Sequence, residues 1–307
     1  MPVPAFASTG SSWHPILYFF QEVTAGYARG LFFYLASLLR ITVFFQINSY
    51  VAHLINAGVP FAEREALLLR DFLPEKGTLQ EEAEFKKLID RRAKGEPVSR
   101  ITGSITFCNL SFTLSPQTFR PCRDTEHLVF HALDFLEESK KQDLRILDMG
   151  TGSGCIILSL LHLFPFATGV GIDISADAID CARQNSEQLN LSEKIDFRVQ
   201  SWEEPFSEQF DLVVTNPPTI PTSALSCLPP EMGKYNPRIS LDGGEDGMDF
   251  FRKMDFALAP LLKNTGKGIF QAFSVEREAS FFSQKTYKTR PLFSYRGDPC
   301  ALSVSLI

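Results

Sequence analysis

The chain has 307 residues, 44% of them hydrophobic and 21% charged, enough to bury a sizeable core in one large domain or a large domain beside a small one. A net charge of −6 and a pI near 5.5 exclude a broad phosphate-neutralising surface, so no nucleic-acid partner is expected. The six cysteines (Cys108, Cys122, Cys155, Cys181, Cys227, Cys300) are scattered, with no C-x-x-C pair and no His/Cys cluster. That pattern argues against a metal site and a disulfide framework, and for a reducing, cytoplasmic address.

Residues 1–47 form an apolar extension. From Ile16 to Ile47 the segment is aromatic and aliphatic, and Glu22 is the only acid before Glu63. Three readings stay open: an extension outside the fold or a misassigned start, a buried helix, or a membrane anchor. The uncharged run Leu31–Leu39, interrupted by Arg40, falls short of the roughly 20 residues that a span requires, so no membrane partner is expected. A secretory signal would begin with basic residues, and Met1–Gly10 carries no charge.

Residues 48–95 read as a small helical bundle. Ala62–Phe72 is rich in helix formers, with Leu67, Leu68 and Phe72 as its apolar stripe. Pro74 and Gly77 break it, and Gln80–Arg92 follows with Phe85, Leu88 and Ile89 at helical spacing. Lys86, Lys87, Arg91, Arg92 and Lys94 read as a solvated basic face. Residues 96–123 change character, with Thr106–Leu114 extended, and are expected to be a hairpin linking the bundle to a main domain over 124–307. Asp124–Glu138 opens that domain as a helix whose inner face is Leu128, Val129, Leu133 and Leu136.

Next comes a strand, Leu144–Met149, then G-T-G-S-G at Gly150–Gly154, then an apolar helix, Cys155–Leu163. Strand, glycine turn and helix make the first unit of a nucleotide-binding α/β sheet: glycines allow the tight turn and close approach of backbone to ligand. The following strand, Val170–Ile174, brings Asp173, 19 residues beyond Gly154, to where an acid accepts from both ribose hydroxyls of a nucleoside. G-x-G-x-G is tighter than the spacing of pyrophosphate binders and favours a ligand without phosphates.

The rest alternates: helix Ala176–Leu189, strands Ile195–Gln200 and Phe210–Thr215, helix Asp246–Leu262, strand Gly268–Phe273 and a terminal strand pair ending at Ile307. Asn216-Pro217-Pro218-Thr219 leaves the strand Phe210–Thr215. Each proline fixes its own φ and biases the residue before it toward an extended backbone. An Asn side chain and neighbouring carbonyls are thereby held outside the carboxyl end of a strand, where they suit a planar NH₂ group with two hydrogens to place. Ile220–Glu245, with four further prolines and a Gly-Gly pair, is long for a structureless loop and reads as one wall of a substrate cleft.

Asp148–Gly154 with Asp173 and Asn216-Pro217-Pro218 resembles the class I S-adenosylmethionine-dependent methyltransferases that modify exocyclic or amide nitrogens. Over about Ser49–Leu306 the chain is similar to the protein-(glutamine-N5) methyltransferases of peptide chain release factors, the PrmC/HemK family. The matching segments are A-G-V-P at Ala57–Pro60, G-E-P-V-S-R-I-T-G at Gly95–Gly103, S-P-x-T at Ser115–Thr118, D-T-E at Asp124–Glu126, L-P-P-E at Leu228–Glu231 and L-D-G-G-E-D-G-M-D at Leu241–Asp249.

The resemblance implies a Rossmann-like class I methyltransferase sheet, mostly parallel and doubly wound, with a small N-terminal helical domain. It implies that Gly150, Thr151, Gly152, Ser153 and Gly154 wrap S-adenosyl-L-methionine, that Asp173 holds its ribose, that Trp202 flanks its adenine and that Asn216 also borders the cofactor. Asn216, Pro217, Pro218 and Thr219 would hold the acceptor, the glutamine of the release factors' Gly-Gly-Gln loop, with Asn216 and Pro217 carrying the catalysis. The chain departs from the family at Thr219, where an aromatic is usual, and in Arg120-Pro121-Cys122-Arg123, which lacks the family's arginine and second proline. Ser201 stands where an acid precedes Trp202, and Asn236 replaces an acid before Pro237. Two other readings stay open. An adenine-N6 nucleic-acid methyltransferase would need a basic cleft and a stacking aromatic, against which the pI and Thr219 argue. A homologue that binds cofactor or release factor without turnover would carry the marks of Thr219 and the altered Arg120–Arg123 stretch.

Overall fold

The computed structural model describes residues 47–74, 78–139 and 143–307. The expectations for residues 1–46 lie outside them. The chain divides into two compact units, with the boundary between Ala93 and Lys94.

In the first unit, helix α1 (residues 47–56) is followed by α2 (Ala62–Phe72) and α3 (Leu79–Ala93). The core of α2 is Ala62, Ala66 and Leu69, spaced four and three apart. Leu67, Leu68 and Phe72, expected to form its buried stripe, are about half exposed (47%, 47% and 48%). Three consecutive leucines offer three faces, and the one in phase with Ala62 and Ala66 is Leu69. On α3 the expected Phe85, Leu88 and Ile89 are buried. Arg92 is buried too, paired with Glu65, so it does not belong to the solvated basic face. Only partnering makes such burial tolerable for a guanidinium.

The second unit opens with the short helix α4 (Val98–Thr102) and an antiparallel hairpin of β1 (Ser104–Phe107) and β2 (Leu110–Thr113). Helix α5 (Arg123–Glu138) buries Thr125, Leu128, Val129, Ala132 and Leu136 along one stripe. Then come β3 (Arg145–Met149), α6 (Cys155–Leu163), β4 (Thr168–Asp173), α7 (Ala176–Gln188), β5 (Ile195–Val199) and β6 (Phe210–Thr215). The short α8 (Pro230–Gly233), α9 (Asp249–Leu261), β7 (Leu262–Gln271), α10 (Val275–Ala279), β8 (Tyr287–Phe293) and β9 (Pro299–Leu306) complete the chain.

Seven strands form one sheet in the order β5-β4-β3-β6-β7-β9-β8. The first five run parallel, and the β9 and β8 edge is antiparallel. Parallel strands covered on both faces read as continuous apolar runs, and every residue of β6 is buried. Side chains alternate between faces: Ile146, Leu212 and Val214 join a core with α5, α6 and α7, whereas Leu147 and Val213 join another with α9. This is the Rossmann-like class I architecture.

Two boundaries differ from expectation near residue 245 and residue 262. Helix α9 starts at Asp249 because the glycine-rich residues before it are spent in backbone bonds to the Asn216–Ile220 loop, including Gly243 N–H to Ile220 O at 2.9 Å. Strand β7 starts at Leu262 because an irregularity in the β6–β7 register lets Phe210 pair with Leu262 while Leu212 pairs with Lys267.

Candidate functional site

β3, β4 and β6 lie side by side in parallel, with Met149 registered to both Ile172 and Thr215. Their carboxyl ends therefore open on the same edge of the sheet, where the strand order reverses direction and α/β folds place ligands. Thr215 donates its hydroxyl to Met149 O at 2.6 Å, tying β6 to the start of the glycine turn.

The turn itself requires glycine. Gly150, Gly152 and Gly154 have φ of 69°, 57° and 78°, the left-handed region that side chains disfavour. Thr151 N–H bonds Ile172 O at 2.8 Å, and Gly152 N–H donates to Asp173 Oδ2 at 3.0 Å. Asp173 Oδ1 accepts from Ser175 N–H at 2.9 Å. Two backbone bonds leave the carboxylate two further acceptor positions. Burial raises the Asp173 pKa, opposed by the Ser175 and Gly152 amides.

Beneath the turn Asp148 is fully buried, and one oxygen accepts from the Thr151 hydroxyl at 2.8 Å. Its other oxygen makes no hydrogen bond among the described residues, nor does the buried Ser153 hydroxyl. Burial pushes the Asp148 carboxyl up to about 7, against the pull of Thr151 and the nearby Ile157 amide. Asn185, also fully buried, donates to Ser153 O at 2.8 Å and Thr113 O at 3.0 Å, and accepts from Thr113 N–H at 2.7 Å. It fastens the β1–β2 hairpin to the glycine turn.

One cleft runs over these elements. It is lined by Gly150, Thr151, Gly152, Ser153, Asp173, Trp202, Asn216 and Pro218 among the residues singled out from the sequence. Trp202 packs edge-on against Phe250 at 5.4 Å between ring centroids, which fixes the indole beside Gly150. Gly154 lies at the base of the turn, where an added Cβ would meet Leu158 at 2.9 Å. Pro217 is buried behind the lining. The Thr219 carbonyl occupies the space that a side chain at Gly247 would fill, and Gly247 has φ +82°. The bonds of Ile220 N–H to Leu241 O (3.0 Å) and of Thr222 N–H to Gly244 O (2.8 Å) complete this clamp. The long Ile220–Glu245 segment is thus ordered by short helical turns and contributes Ile239 and Ser240 to the cleft.

Sequence reasoning missed Phe119, Pro121 and Thr125 as lining residues. Their approach to the cleft depends on the chain folding back across the sheet, and local spacing carries no mark of that. Nearby, Asn236 accepts from Arg120 N–H at 2.9 Å and from Arg100 at 3.3 Å, and donates to Met232 O at 3.0 Å. Burial, then the neighbouring Arg120, lowers the Arg100 pKa.

The donor set fits S-adenosylmethionine. A carboxylate with spare acceptor positions suits a ribose diol and would repel a phosphate, an indole suits a purine face, and the turn gives backbone-close access. Among the described residues no group of three or more His, Cys, Asp or Glu side chains is placed to hold a metal ion, and no helix is long and apolar enough to cross a membrane.

Comparison with known proteins agrees with this fold. A family profile described as "Methyltransferase domain" matches residues 140–280. The chain is 41% identical over 204 residues to the release factor glutamine methyltransferase of Agrobacterium fabrum, covering 65% of this chain and 71% of that one. It is 40% identical to the protein of that name from Bradyrhizobium diazoefficiens (65% and 69% covered) and 32% identical to that from Koribacter versatilis (67% and 78%). Among solved structures, the catalytic domain of hMettl16 in complex with a MAT2A 3′UTR hairpin superposes with a TM-score of 0.51 at 16% identity, over 72% of this chain and 82% of that one, a likeness of fold.

Proposed function

The chain belongs to the release factor glutamine methyltransferase family, and from that premise we propose that it methylates the side-chain amide nitrogen of the glutamine in the release factors' Gly-Gly-Gln motif. The methyl donor is S-adenosyl-L-methionine. The observation that carries the reading is the meeting, in one cleft, of the glycine turn with Asp173 and the Asn216-Pro-Pro loop.

An amide nitrogen is a weak nucleophile because its lone pair is delocalised into the carbonyl, so the residues around it must compensate by placement. Gly150–Gly154, Asp173 and Trp202 hold the donor, which when bound supplies an electrophilic methyl group. The Asn216 side-chain oxygen accepts one N–H of the glutamine amide. The Pro217 carbonyl, at the junction with the cleft-lining Pro218, accepts the other. Two acceptors fix the nitrogen's orientation, which removes several kcal/mol from the barrier in well-aligned systems. They also stabilise the positive charge that grows on nitrogen during transfer. The proton leaves after the transfer, so no general base is needed beforehand. Phe119, Pro121 and Ile239 give the cleft apolar surface beside the acceptor loop.

The test is the intact mass of a release factor incubated with the protein and S-adenosylmethionine. One added methyl, mapped to the Gly-Gly-Gln glutamine, is the expected result. No added mass on the release factor, or labelling of DNA instead, overturns the reading.

A further inference from the structure

An Asn side chain can act as an acceptor only if the oxygen end of its amide faces the substrate, and the two ends have nearly the same shape. Something outside Asn216 must therefore choose between them. Asn216 Nδ2 donates to Thr125 Oγ1 at 3.3 Å, and Asn216 Oδ1 makes no hydrogen bond among the described residues. Thr125 is 1% exposed, sits in the first turn of α5 and lines the cleft beside Asn216.

A hydroxyl both donates and accepts, so Thr125 selects one end only if its proton is committed elsewhere. Its Oγ1 lies 3.5 Å from Cys122 Sγ, on the residue that precedes α5. Between a hydroxyl and a thiol, the hydroxyl is the better donor. Either atom of that pair can donate; with the hydroxyl proton turned to sulfur, a lone pair is left for the Asn216 amide nitrogen, the direction in which Asn216 Nδ2 donates. Cys122 stands where the family carries a different residue, so in this chain the acceptor for that proton is a thiol.

We propose that Thr125 is a positioning residue for methyl transfer: its buried hydroxyl, beside Cys122, holds the Asn216 amide nitrogen so that the Asn216 oxygen faces the incoming substrate amide. The inference rests on the function proposed above. It adds how this chain fixes the polarity of its acceptor.

The experiment uses the full chain with three variants. Thr125→Val keeps shape and removes the hydroxyl, Thr125→Ser keeps the hydroxyl, and Asn216→Asp identifies the Asn216 side-chain NH₂ signals in a ¹⁵N spectrum by their loss. In Thr125→Val we expect kcat for release-factor methylation to fall about 10- to 100-fold, in line with the loss of one orienting bond. The release-factor KM and the S-adenosylmethionine Kd should stay within about twofold, and Thr125→Ser should restore kcat. An unchanged kcat, or a fall matched by equal loss of cofactor affinity and not rescued by Ser, overturns the proposal. The Asn216 NH₂ signals give a readout without turnover: Thr125→Val should shift them and speed their exchange, and unmoved signals overturn the proposal. If the natural protein leaves release factor unmodified while the NH₂ signals respond as expected, the functional reading fails and the hydrogen bond to Thr125 stands.

Discussion

The two walls of the cleft are built by different means. The wall of Gly150–Gly154, Asp148 and Asp173 is defined by backbone: three positive φ angles, amides aimed at a carboxylate, and a buried acid under the turn. The other wall, from Phe119, Pro121, Thr125, Asn216, Pro218, Ile239 and Ser240, is defined by side chains, supported by long-range bonds such as Arg120 N–H to Asn236. The positions at which the resemblance implies a departure from the family, Cys122, Arg123, Thr219 and Asn236, fall in the segments of the second wall and its supports, and the glycine turn is part of the motif that carries the resemblance. Backbone geometry of this kind tolerates little substitution, because any side chain at a positive φ is strained. A wall made of side chains can be rebuilt one residue at a time. The comparison predicts that the walls are separable: the first sets cofactor affinity, the second sets rate.

Asn216→Ala should produce the largest effect and the cleanest break between the walls. Removing the acceptor should lower kcat by about a thousandfold, as losing a transition-state donor or acceptor does elsewhere. The Kd for S-adenosylmethionine, measured by calorimetric titration, should move less than about threefold. Joint loss of rate and affinity would show that the walls are one unit. Asp173→Ala is the reverse case. Two charge-assisted bonds to a diol disappear, and cofactor affinity should fall roughly a hundredfold. With the cofactor at saturation, kcat should recover to near its natural value. The melting temperature would confirm that the Gly152 and Ser175 amides, left without the carboxylate, have not undone the turn.

Asn236→Ala probes the support of the second wall. It deletes one buried acceptor shared by Arg100 and Arg120 and one donor to Met232. Leaving such groups unpaired costs about 2–3 kcal/mol of stability. Denaturant midpoints should show this loss, with cofactor affinity in the folded protein nearly unchanged.

Much of the first wall could be read from sequence, since a strand, three alternating glycines, a helix and a distal acid are all local signals. The Asn216-Pro-Pro exit was equally plain, for prolines mark their own backbone. Less could be read where a choice depended on tertiary contact. Leu67, Leu68 and Leu69 are indistinguishable by composition, and only the phase set by Ala62 and Ala66 buries the third. Arg92 looked like part of a solvated cluster because its partner Glu65 lies 27 residues away. Thr125 and Asn185 act through bonds 91 and 72 residues long in sequence, and no periodicity records those.

Asp148 gives the first wall a pH signature. Its folded pKa, pushed up to about 7 by burial, exceeds the roughly 3.9 of an unfolded aspartate. Below about pH 4 both states hold the proton and the group is neutral to stability. As pH rises toward 7 the unfolded chain ionises first, and the ligand-free fold loses on the order of 2–4 kcal/mol from this residue. Asp148→Asn should flatten that loss and raise the melting temperature above pH 7. A parallel pH profile for both proteins would mean that Asp148 is ionised at ordinary cost.

The smallest effect sharpens the second wall. The resemblance implies an aromatic at Thr219, whose carbonyl is clamped against Gly247 and which is not among the residues lining the cleft. Thr219→Tyr adds an aromatic face beside Pro218 without altering the clamp. The added contact is worth about 0.5–1.5 kcal/mol, so kcat/KM for release factor should rise a few-fold, read from initial rates at low substrate. Cofactor affinity should not move, because Asp173, Trp202 and the turn come from other segments of the cleft lining. If the natural protein proved inactive and Thr219→Tyr alone created turnover, then Phe119, Pro121 and Ile239 would not suffice as apolar walls. The second wall would then have been rebuilt past the point where it still works.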